Sequence, residues 1–266
     1  MRRFHRAPEE NVMVCSILTG RGIMQYVAPT LKVGKMKRIK IISIYAILVI
    51  LGGWCFTGQA SAQQGRVNKA IIIDAGHGGP DLGVKVADTA YEKDLNLRIA
   101  LALQKELTRA GYQQVMLTRS ADKEMSLKER IQLIKNNDPL LVISIHINGG
   151  FGNKSKGYEI YFPGFGTAKE AHSETSAIIK DMTKNKHLND SVRLAQYIQK
   201  HLDGVFSKEN RGLREAPIPL MEGINVPAVV IEIGFLTNKE NRKKVTDDKV
   251  QQEIAKAISR GVKESL

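Results

Sequence analysis

The chain has 266 residues, with 40 Lys+Arg against 27 Asp+Glu, a formal charge of +13, 42% hydrophobic residues and 25% charged ones. These proportions belong to a globular chain and exclude both intrinsic disorder over most of the length and a polytopic membrane protein. More than half of the excess charge, +7, lies in residues 1–62, leaving +6 in residues 63–266, which suits an anionic surface and gives no reason to expect a nucleic-acid partner.

Both cysteines, Cys15 and Cys55, also fall in the first 62 residues, so the remainder has neither a disulfide framework nor a thiolate metal site. Residues 36–62 read as a signal peptide: a basic cluster through Lys40, an apolar run from Ile41 to Leu51, then Ala60-Ser61-Ala62 as a small-x-small cleavage site. The run is short of the roughly 20 residues that a membrane span needs, so cleavage is expected to leave no stable membrane anchor. Trp54 before Cys55 is too bulky for lipid attachment. Residues 1–35 form a leader ahead of a usable Met36, which points to a start assigned too early, with an extended leader as the alternative.

From Val67 onward, apolar β-rich runs alternate with amphipathic stretches. Ala70–Ile73 is a buried strand ending in a glycine-rich turn, and Leu95, Ile99, Leu103 and Leu107 make one helical face stopped by Gly111. Val115–Leu117 is a short strand, and Ser126 with Glu129 forms a capping box for a helix to about Asn137. Leu140–Ile145 is the most apolar strand and leads into His146. Tyr158–Tyr161 alternates like a half-exposed strand, residues 168–182 and 191–203 look helical, and Ala228–Ile233 is buried. A last helix carries Val250, Ile254, Ala257, Ile258 and Val262. This order predicts a single α/β domain over 67–266, a mostly parallel or mixed central sheet with helices on both faces.

Four ionisable residues stand where a core should not want them. His77 follows the first strand of that domain, His146 ends another, Glu232 interrupts the run Ala228–Ile233, and Glu92 opens the helix after the glycine loop. Strand carboxyl ends line the ligand crevice in open α/β sheets, and a buried carboxylate at 232 needs a cation or a proton. Two imidazoles and a carboxylate suit zinc with one position left open. The spacing alone does not decide, because a hydrogen-bonded strand-end histidine and a helix-start Glu favoured by the macrodipole account for it equally. A phosphate loop is excluded by the missing Lys-Ser/Thr and dinucleotide glycines.

The string Ile72-Ile73-Asp74-Ala75-Gly76-His77-Gly78-Gly79-Pro80-Asp81-Leu82-Gly83 resembles the opening motif of the zinc-dependent N-acetylmuramoyl-L-alanine amidases. The likeness continues through Glu92–Leu97, Leu117-Thr118-Arg119, Leu127–Arg130, Ile143–Asn148, Arg211-Gly212-Leu213 and Pro227–Asn238, covering nearly all of 68–262. The resemblance implies one Zn2+ per chain on His77, Glu92 and His146, with Glu232 as the catalytic carboxylate. It also implies hydrolysis of the amide between N-acetylmuramic acid and the L-Ala of the stem peptide in peptidoglycan, outside the cytoplasmic membrane, in the periplasm or the cell wall. Zinc would lower the pKa of its water toward about 7 and polarise the carbonyl, and Glu232 would move the proton to the departing amine. Ile147 departs from the Ala of many members and is expected to narrow the pocket.

Arg119 and Arg130 are read mainly as structural ion pairs, and His172, His187 and His201 as solvated. Arg211 and Arg214 are candidates to touch stem-peptide carboxylates. Residues 163–190 are longer than a compact member needs. Some amidases carry a helix here that covers the zinc until an activator protein pulls it away, with Glu170 or Glu174 able to approach the metal; a solvated surface helix is the alternative.

Overall fold

The computed structural model describes residues 12–19, 22–29, 69–86, 90–164, 174–207 and 209–266. They fall in two units, 1–60 and 61–266. In the first, β1 (Val12–Thr19) and β2 (Gly22–Pro29) pair antiparallel. The predicted signal peptide, 36–62, lies outside the described residues.

In the second unit the β-branched runs become strands and the four-apart apolar stripes become helices. In chain order come β3 (Ile71–Ala75), β4 (Lys85–Val86), β5 (Ala90–Tyr91), α1 (Glu92–Arg109), β6 (Val115–Leu117) and α2 (Leu127–Asn137). They are followed by β7 (Leu141–Asn148), β8 (Tyr158–Pro163), α3 (Glu174–Val205), β9 (Asn210–Ala216), a 3-10 turn (Pro219–Met221), β10 (Ala228–Phe235), α4 (Lys239–Thr246) and α5 (Asp248–Ser265). Ser126 and Glu129 close the expected capping box at the start of α2. No helix among the described residues is long and apolar enough to cross a membrane.

The main sheet runs β6-β3-β7-β10-β8-β9. The first four strands are mutually parallel, β8 is antiparallel to β10, and β9 runs with β8. From β3 the chain goes to β6 on one side, then returns to β7 on the other. That reversal opens a crevice at the carboxyl ends of β3 and β7; His77 follows in the loop after β3 and His146 lies within β7.

One face of the sheet is fully apolar. Ile73, Ile143, Ile145, Ile160 and Ile231 meet Leu95, Ile99, Leu103 and Leu107 of α1 and the buried faces of α3 and α5. Each such side chain contributes about 1.5–3 kcal/mol on burial. α3 and α5 approach so closely that a Cβ on Gly261 would stand 2.6 Å from the Ile198 Cα. The other face is split. Its lower half is apolar, with Ile72, Val142 and Ala228 under α2 and the 3-10 turn, and its upper half carries Asp74, Ser144, His146 and Glu232.

The expected helical stretches at 174–182 and 191–203 are parts of one helix, α3, which runs unbroken from Glu174 to Val205, while 168–173 lie outside the described residues. One expectation changes: β8 is not half exposed, because Tyr158, Glu159 and Ile160 are all buried, since β9 pairs on the outer side of the strand and removes it from the sheet edge.

Candidate metal and catalytic site

Strand register puts the polar residues on one face. Asp74 pairs with Ser144, and Glu232 pairs with His146 on one side and Glu159 on the other. Directly opposed residues share a face, so four strands deliver their polar side chains to one patch. His77 arrives from the loop after β3, and Glu92 from the first residue of α1.

His77, Glu92 and His146 offer three ligand atoms within 4.8 Å of one another. His77 Nε2 and His146 Nδ1 each lie 3.1 Å from Glu92 Oε1. Donors about 2.0–2.1 Å from a tetrahedral zinc stand roughly 3.4 Å apart, so the set fits a small dication. Glycine makes the approach workable, since a Cβ on Gly76 would lie 2.2 Å from His146 Cε1.

The three side chains are themselves held. Glu92 Oε2 accepts from the Val84 N–H at 2.8 Å, and Oε1 accepts from the Ile147 N–H at 3.1 Å and from Asn96 Nδ2 at 3.3 Å. Asp81 Oδ2 lies 2.8 Å from the second ring nitrogen of His77, the carboxylate–imidazole arrangement that orients metal ligands. The hydrogen bond to Glu92 is the largest influence raising the His77 pKa to about 9. Burial, the largest influence on His146, pushes its pKa down, yet the bond to Glu92 and the Glu232, Glu92 and Asp74 charges together raise it. Burial pushes Glu92 up, yet its bonds to His146 and His77 hold it well below the ordinary carboxylate value. The spot strongly favours positive charge, and a dication answers the same field.

Glu232 is the opposite case. Its Oε2 is buried without a hydrogen-bond partner, and burial raises its pKa to about 7. Two hollows flank the donor set, of about 540 and 390 Å³, and both are lined by His77, His146 and Glu232. The larger has an apolar wall of Met125, Leu127, Ile218 and Leu220. The smaller is bounded by Val84 and Asn148-Gly149.

The family model for N-acetylmuramoyl-L-alanine amidases matches residues 71–264. The chain belongs to that family. An N-acetylmuramoyl-L-alanine amidase from Clostridium difficile 630 is similar at 32% identity and a TM-score of 0.62, over 74% of this chain and 95% of that one. The CwlD amidase of Clostridioides difficile, solved in complex with the GerS lipoprotein, is similar at 32% identity and a TM-score of 0.62, over 74% and 98%. A putative N-acetylmuramoyl-L-alanine amidase of Buchnera aphidicola subsp. Schizaphis graminum is 30% identical, over 70% of this chain and 92% of its own length. This chain is thus an amidase whose family acts on peptidoglycan.

The amidase fold corrects several readings. Ile147 is fully buried, β alternation turning its side chain into the main core, while its N–H faces Glu92 and the residue is among those lining the smaller hollow. Arg130 does form a buried ion pair, 2.6 Å from Asp74, whereas Arg119 spends its donors on backbone carbonyls. Arg211 and Arg214 lie 2.5 and 3.5 Å from Glu159 Oε1, one residue removed from Glu232. His201 is not simply solvated, its Nε2 lying 2.9 Å from Glu264. His187 is half-buried with Nδ1 unpartnered, while His172 lies outside the described residues. Glu170 and the side chain of Glu174 lie outside them as well.

The sequence reading passed over Asp74 and Glu159. Asp74 carried the same signal as Glu232, a carboxylate in an apolar strand. Glu159 was hidden by an alternation that resembled an exposed edge.

Proposed function

We propose that this amidase performs zinc-dependent hydrolysis of the amide joining the lactyl group of N-acetylmuramic acid to the L-Ala of the stem peptide, with His77, Glu92 and His146 holding one zinc. The single observation that carries the reading is a buried carboxylate, Glu232, left without a hydrogen-bond partner beside a three-donor metal set. A zinc ion bound there supplies Lewis acidity to the scissile carbonyl and activates water. Glu232 Oε2 takes the proton of the attacking water and returns it to the departing amine nitrogen, for which a pKa raised by burial is suited. Asp81 keeps the His77 ring turned so that Nε2 faces Glu92. The two hollows take the substrate on either side of the cut, one of them with an apolar wall at Ile218 and Leu220.

Around this core stand the remaining assignments. The chain is exported by residues 36–62, to the periplasm or cell wall where its polymeric substrate lies. Arg211 and Arg214 offer half-exposed cations to stem-peptide carboxylates. Residues 163–190 gate the site and an activator protein relieves them; the structure of an amidase with the GerS lipoprotein supports a protein partner for this family.

The deciding experiment digests purified peptidoglycan with the zinc-loaded protein, with Glu232→Ala and chelated protein as controls, and reads the products by mass spectrometry. Stem peptides with a free N-terminal L-Ala, absent from both controls, are expected. Fragments cut within the peptide would replace this reading with a peptidase.

A further inference from the structure

His77 has φ 62°, in the left-handed region that a non-glycine residue enters at a cost in strain. The three carbonyls leading to it, from Ala75 to His77, are gripped by two buried arginines. Arg130 donates from Nη1 to Ala75 O at 2.8 Å and from Nη2 to His77 O at 2.7 Å. Arg119 donates from Nε to Ala75 O at 2.9 Å, and its Nη2 reaches both Gly76 O at 2.9 Å and Lys93 O at 2.7 Å. That last pair ties the His77 loop to the first turn of α1, which carries Glu92.

The arrangement is expensive for a turn. Arg119 is 1% exposed and Arg130 6%, and burial together with the neighbouring Arg130 charge holds Arg119 below the ordinary arginine value. Arg130 has Asp74 to balance it, whereas Arg119 rests on carbonyl oxygens. Two like charges are buried side by side where amide side chains could have closed the same loop. What guanidinium forks add is fixed direction: several carbonyls are held at once in one geometry.

We propose that Arg119 and Arg130 are positioning residues that lock the strained His77 backbone and its distance to Glu92, so that a metal meets a preformed donor set. The proposal rests on the reading of His77, Glu92 and His146 as zinc ligands and adds a cause for their alignment. It separates two roles of Arg130, since the bond to Asp74 supports the fold while the bonds to Ala75 and His77 set metal affinity.

The test measures zinc affinity of the full chain by competition with a chromogenic chelator, and thermal stability of the chelated protein. Arg130→Lys keeps a charge beside Asp74 and loses the fork, so zinc affinity should fall tenfold or more with a small change in chelated stability. Asp74→Asn should do the reverse, lowering stability while zinc affinity holds. Equal zinc binding by Arg130→Lys and the unaltered protein, or an equal loss of affinity in both variants, overturns the proposal. An unaltered protein that binds no zinc overturns the ligand reading instead. Should the variants not fold, NMR of the unaltered chelated protein decides. Slowly exchanging Nε–H protons on Arg119 and Arg130 are expected, and exchange as fast as that of the exposed Arg109 refutes a preformed clamp.

Discussion

Asp74 and Glu232 are two carboxylates on the same face of the same sheet, separated by one strand, and their surroundings are opposite. Asp74 accepts from Thr118 Oγ1 at 2.8 Å, Ser144 Oγ at 2.7 Å and Arg130 Nη1 at 2.6 Å. Burial would push its pKa up, but the Arg130 and His146 charges and the Ser144 bond bring it below the ordinary value. Glu232 has the same burial problem with Oε2 unanswered, and its pKa goes up. Asp74 is saturated with donors, and Glu232 is left short of them, the perturbed state that the proposed proton transfer calls for.

The sharpest way to break this comparison is to neutralise each carboxylate in turn. Glu232→Gln should lower kcat on peptidoglycan by about 10²–10⁴-fold with zinc affinity retained, read by product release alongside chelator competition. Asp74→Asn should instead cost about 3 kcal/mol of stability by stranding the buried Arg130, read by denaturant unfolding.

Acid and neutral pH should then separate the two. The folded-state pKa of Asp74 lies below its unfolded one, so its contribution is complete above the ordinary value of 3.8 and is lost as pH falls through the lowered value. Asp74→Asn should therefore flatten the acid limb of a melting-temperature profile. Glu232 has the opposite sign: raised from 4.5 to about 7, it penalises the folded state increasingly as pH rises across that window. In chelated protein, Glu232→Gln should gain on the order of 2 kcal/mol at pH 8 relative to pH 4.5. An equal gain at both pH values would show that Glu232 titrates normally.

Smaller effects lie farther out. Removing residues 165–182, which stops short of the buried Leu188, should raise activity severalfold if the segment gates the site; unchanged or lower activity would remove the gate. Arg211→Gln leaves Glu159 with Arg214 and Tyr161 and should cost about 1 kcal/mol, with a rise in KM if it meets a stem-peptide carboxylate.

Much of the fold was legible because it rests on period and caps, which are local. The face of α1, the box at Ser126 and the buried strands at 71, 141 and 228 could all be read residue by residue, whereas His146, expected at a strand end, lies inside β7. Ile147 shows the limit: it sits beside His146 in sequence, yet alternation sends its side chain to the other side of the sheet.

What the sequence by itself determined is the α/β class, the element order and the family, because hydrophobic periodicity and short motifs are properties of neighbouring residues. Only the tertiary structure decided which polar groups meet. Register across β3, β7, β10 and β8 gathers residues up to 158 positions apart in the chain, from Asp74 to Glu232, onto one face. Whether a carboxylate there becomes a quiet structural anchor or a proton carrier depends on how many donors the packing brings to it, a quantity that no local stretch of sequence contains.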